Sequence, residues 1–150
     1  MDTLRTLFDD YIAYAAKLRK ETASIKSVLG MRDREIYDAG HRNFDEAVEK
    51  WVTAFAATEP TQQALKEALE IILFQAVGNE EKAAYWYLCA VQRHTMVLLP
   101  LLDDASRAEV LAQFEAQYPK GRRLPLQNDI VKLLSKGTGR KRWGWLSMRG

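Results

Sequence analysis

The sequence predicts an all-α protein, a compact bundle of five to six helices with a long N-terminal helical hairpin and a basic C-terminal tail. Three observations carry this expectation. Apolar residues Leu4, Phe8, Tyr11, Ala15, Leu18, Ile25 and Leu29 recur at alternating four- and three-residue steps, with Thr22 filling the remaining place, which is the seam of a bundle helix. Tyr37, His41, Phe44, Val48, Trp51 and Phe55 repeat the pattern and imply an antiparallel partner. No run alternates apolar and polar residues between hairpin turns, so strands are not expected. The bundle is assigned to residues 1–136 and the tail to 137–150.

The first helix should stop at Gly30, where glycine takes a left-handed cap most cheaply. Two starts are open for the second. Asp33 could cap a helix running through Gly40, or Asn43 and Glu46 could form a later capping box with 31–42 as a loop. Glu59 and Pro60 mark the start of the third, which runs to about Val77 with Leu65, Leu69, Ile72 and Ala76 on one face. Ile71, Leu73 and Phe74 widen its apolar arc, so its second half should be surrounded. Gly78 ends it and Asn79 caps the fourth, with Glu80 and Glu81 complementing the helix dipole. The segment Ala83 to Val91, without charge on any side, marks that helix as central, and Pro100 closes it. Asp103 or Asp104 starts the fifth, with Ala108, Leu111, Phe114 and Tyr118 inward and Pro119 and Gly121 at its end. A short sixth follows Pro125, using Leu126, Ile130 and Leu133 or Leu134 before Gly137.

With 150 residues, one domain can bury a core without disulfide or metal staples. The single cysteine, Cys89, forms no internal disulfide and excludes a cysteine-cluster zinc site, which fits a reducing, cytoplasmic setting. The first residues do not read as a secretory signal, and the longest uncharged run is far short of the ~20 apolar residues a membrane span needs.

Candidate chemistry is sparse. Cys89 and His94 point about 140° apart on one helix, so they form no local dyad. Asp38 and His41 have the carboxylate-x-x-His spacing of di-iron bundles, but His94 is preceded at that spacing by Val91, so the second unit is missing. No catalytic residue, metal or cofactor is therefore assigned. The aromatics Tyr11, Tyr14, Trp51, Tyr85, Trp86 and Tyr87 could line a pocket, though helical spacing favours core packing.

Charge is more informative than any motif. Residues 1–118 hold 13 basic and 19 acidic residues, a net of −6, whereas 119–150 hold nine basic residues against Asp129 alone, a net of +8. Positive charge clusters at Lys120, Arg122 and Arg123 and again at Arg140, Lys141 and Arg142, the latter beside Trp143 and Trp145. A solvated tail, or one folded back on the acidic body, would account for the charges alone. Two tryptophans call for an apolar contact. Nucleic acid would take the cations on phosphate and stack the indoles, an anionic membrane would seat the indoles at headgroup level, and a protein groove would take them as anchors.

The sequence therefore points to a non-enzymatic regulatory or adaptor protein whose partner-binding residues are Arg140, Lys141, Arg142, Trp143 and Trp145. Lys120, Arg122 and Arg123 form a secondary patch. A protein is the expected partner. The first alternative is a nucleic-acid-binding module, and the second is a bundle enzyme or small-ligand binder built on His41 and nearby carboxylates. The regular seam of the first helix could also pair two copies of the chain.

Overall fold

The computed structural model describes residues 1–23, 30–75 and 93–136, with side chains over 1–17, 39–74 and 93–136 apart from position 126. Every regular element among them is helical: α1 (Asp2–Ala23), α2 (Gly30–Ala56), α3 (Gln62–Glu70), a π-helical turn (Ile71–Gln75), α4 (93–98) with the 3₁₀ turn Leu99–Leu101, α5 (Asp104–Gln117), the 3₁₀ turn Lys120–Arg122 and α6 (Pro125–Ser135). The chain is an all-helical bundle of about six helices.

The first seam is buried where the structure describes it. Leu4 and Phe8 are fully buried and Tyr11 and Ala15 nearly so, packed within the chain against α2 and the π turn. The contacts advance along α1 as they retreat along α2. Phe8 meets the edge of Phe44 at 5.1 Å, Tyr11 stacks on Phe44 at 4.2 Å, and Tyr11 also meets the edge of His41 at 5.3 Å between centroids. The remaining seam positions and the connection between the two helices lie outside the described side chains.

Helix α2 takes the first of its two open starts. It is one helix through Gly40 and begins at Gly30, three residues before Asp33, so Gly30 opens α2 and Asn43 lies in its interior. A helix interior can hold Gly40 at a cost of up to about 1 kcal/mol relative to alanine when packing offsets it. Tyr14 supplies that packing: a Cβ at Gly40 would overlap its ring.

Helix α3 starts one step later than Pro60 suggested. Thr61 is the cap, its hydroxyl accepting from the Ala64 amide at 3.2 Å, and Glu59 turns the chain with a left-handed φ of 52°. The widened apolar arc is real, with Ile71, Ile72 and Leu73 all buried, but these residues form a π turn rather than a continued α-helix. Helix α3 packs on α5, whereas the π turn reaches α1. The fourth helix's predicted start at Asn79 and its uncharged stretch lie outside the described residues.

Asp103 caps α5, its carboxylate accepting from the Ser106 amide at 2.7 Å. The inner face of α5 differs from the expected one. Phe114 is fully buried and Leu111 and Tyr118 are half-buried, but Ala108 is exposed while Val110 and Arg107 are buried. Alanine offers little area to bury, and a satisfied arginine in the adjacent register outweighs it. Helix α6 begins at Pro125, with the Gln127 side chain accepting from the Leu124 amide at 2.8 Å, and buries Ile130 and Leu134 against α5.

Candidate functional site

The five residues expected to contact a partner, Arg140, Lys141, Arg142, Trp143 and Trp145, lie outside the described residues, as do Tyr85, Trp86, Tyr87 and Cys89. The structure does show where the described chain ends ahead of them. Lys136 follows the last turn of α6, and its carbonyl accepts from Arg107 Nη1 at 3.4 Å. The other arm of the same buried guanidinium pairs with Asp104 in the first turn of α5. The root of the basic segment is thus fixed beside an exposed carboxylate.

The three cations of the secondary patch have separate fates. Lys120 and Arg122 are exposed on the turn between α5 and α6. Arg123 braces that turn: Nε donates to the Tyr118 carbonyl and Nη2 to Glu115 at 3.1 Å, leaving its side chain 6% exposed. Of the three cations, only Lys120 and Arg122 therefore stand exposed.

Both histidines are buried and each joins two helices. His41 Nε2 shares a 2.8 Å hydrogen bond with the Tyr11 hydroxyl, tying α2 to α1. His94 Nε2 bonds Asp45 Oδ1 at 2.8 Å, and the neighbouring Arg93 takes the other oxygen of the same carboxylate, tying α4 to α2. Burial holds the His94 imidazole below its usual pKa, although the hydrogen bond and charge of Asp45 pull upward. Asp45 was missed in the sequence because its partners lie 48 and 49 positions away, and no local spacing reports such a pair. The side chain of Asp38, three positions before His41, lies outside the described ones. Among the described residues no three His, Cys, Asp or Glu side chains gather closely enough to hold a metal ion.

Of the aromatic set, Tyr11 and Tyr14 border an open groove of about 310 Å³ between α1 and α2, together with Leu7, Asp10, Gly40, Asn43 and Phe44. Trp51 instead stacks on Phe55 one turn along α2 at 4.7 Å. No family model, curated protein or solved structure matches the chain. Among the described residues, no helix is long and apolar enough to cross a membrane.

Proposed function

We infer that this chain is a non-enzymatic helical regulatory or adaptor protein that binds a protein partner through Arg140, Lys141, Arg142, Trp143 and Trp145. The observation that carries this reading is the charge split: a net −6 over residues 1–118, and nine basic residues against one acidic over 119–150, with two tryptophans directly after the second basic cluster. Cations steer the encounter and indoles supply the buried anchors of a typical interface. The buried histidines and Arg107 support a structural role for the body, because each is engaged in bonds between helices. The packed pair of α1 and α2 and the helices around it form the scaffold that carries the segment in the cytoplasm.

The test is affinity capture with the full chain against a Trp143→Ala/Trp145→Ala variant, with helical circular dichroism of both. A loss of at least tenfold in the captured proteins, with dichroism and nuclease treatment making no difference, supports the reading; undiminished capture sinks it. Capture abolished by nuclease would favour the nucleic-acid alternative, which draws on the same cations. That alternative requires affinity to fall by about 0.9 log units per log unit of salt for each duplex phosphate contact.

A further inference from the structure

We propose that the C-terminal segment docks on its own bundle, over a surface formed by Asp104, Asp103, Leu101, Pro100 and Val97. The inference deepens the function above, since it governs when Trp143 and Trp145 are free, but it rests on separate observations. Val97 and Leu101 are two of the three large apolar side chains exposed among the described residues, at 44% and 40%. They stand one helical turn apart with exposed Pro100 between them. This apolar strip continues directly into exposed Asp103 and Asp104. Gln62 holds the junction in place, donating from Nε2 to the Leu101 carbonyl at 3.0 Å and accepting from the Asp103 amide at 2.9 Å.

The occupant follows from where the described chain stops. One guanidinium, that of Arg107, spans the Lys136 carbonyl and the Asp104 carboxylate, so the segment starts beside the acidic end of the strip. Extended chain covers at most about 3.5 Å per residue. Arg140, four residues past Lys136, therefore reaches up to about 14 Å, and Trp143 and Trp145 up to about 25 and 32 Å.

The order of chemistry matches on both sides. Leaving Lys136, the segment presents Gly137, Thr138 and Gly139, then three cations, then two indoles. Leaving the same point, the surface presents two carboxylates, then Leu101, Pro100 and Val97. Lys66 lies near Asp103 but is held by Glu109 at 2.6 Å, and Arg107 takes one oxygen of Asp104, so both aspartates stay exposed beside partners that are already engaged. A tether of a few flexible residues gives an effective concentration in the millimolar range, enough to fill a weak site.

Disulfide trapping in the full chain tests the docking. Leu101→Cys and Gly144→Cys are combined with Cys89→Ser and oxidised at low protein concentration. The expected product is a monomer with an internal disulfide, formed at least tenfold faster than in the same protein carrying Arg140→Glu, Lys141→Glu and Arg142→Glu. Equal rates in the two proteins, or disulfide-linked dimers from a second copy's segment, would overturn the proposal. A second measurement leaves Cys89 in place. In the full-length protein, Val97→Ser with Leu101→Ser should shift the indole N–H resonances of Trp143 and Trp145 to those of an unstructured peptide while that of Trp51 stays fixed. Unmoved indole signals, or signals that move on dilution of the unsubstituted protein, contradict it.

Discussion

The side of the bundle built from α1, α2 and α4 and the side built from α3, α5 and α6 share one core but use different polar fastenings. On the first, side chain bonds side chain: Tyr11 to His41, and His94 and Arg93 to Asp45. On the second, side chain chiefly bonds backbone, as in Gln62 to Leu101 and Asp103, Arg123 to Tyr118 and Arg107 to Lys136. A peptide carbonyl or amide carries no proton that comes and goes near neutrality, whereas an imidazole does. Sensitivity to pH should therefore concentrate on the first side while the core keeps both sides unfolding together.

The largest effects test the shared core. Phe8 and Phe114, one on each side, are both fully buried, and replacing either with alanine should cost about 3–5 kcal/mol. Denaturant melts of both variants should stay single transitions, and a split curve in either would separate the two sides. Gly40→Ala is next. In an open helix it would stabilise by up to about 1 kcal/mol, but against the Tyr14 ring overpacking costs about 1–3 kcal/mol, so the net should be a loss. In a Tyr14→Ala background the sign should reverse, and a double-mutant cycle by urea denaturation reads this directly. Thr61→Ala removes the α3 cap and should cost about 1 kcal/mol without altering pH dependence.

The smallest effect is the pH response, because the pull of Asp45 offsets part of the burial that lowers the His94 pKa. The folded protein resists protonating His94 while the unfolded chain protonates it near its ordinary value of about 6.5. The His94 contribution is therefore intact above that value and declines as pH falls below it, levelling off under the folded pKa. Urea melts between pH 7.5 and 5 should show this decline, and His94→Gln should flatten it. An unchanged slope in that variant would remove the contrast between the two sides.

What could be read from the sequence follows the range of the interactions. The seam from Leu4 to Ala15 was legible because helical spacing is local and burial needs no named partner. The face of α5 departs from its local pattern at Ala108 because Arg107 is buried with bonds to Asp104 and Lys136, one a turn away and the other just past the end of α6. Asp45 was invisible, since its partners are set by how α2 and α4 cross. The basic cluster at residues 120–123 was legible as charge, but the bonds from Arg123 to Tyr118 and Glu115 that divide it are made by the fold.

The π turn at Ile71–Gln75 gives the two sides a common joint. A π-helical turn takes up one residue more than an α-helical turn, so the side-chain stripe slips in phase by about 100° as it passes through. Leu65 and Leu69 ahead of the turn belong to the helix that packs on α5, and Ile71 to Leu73 lie within the turn that reaches α1. One continuous segment thereby presents apolar surface in two directions. Deleting a single residue from the turn would restore regular winding and aim both stripes the same way, leaving one half of the bundle without its neighbour.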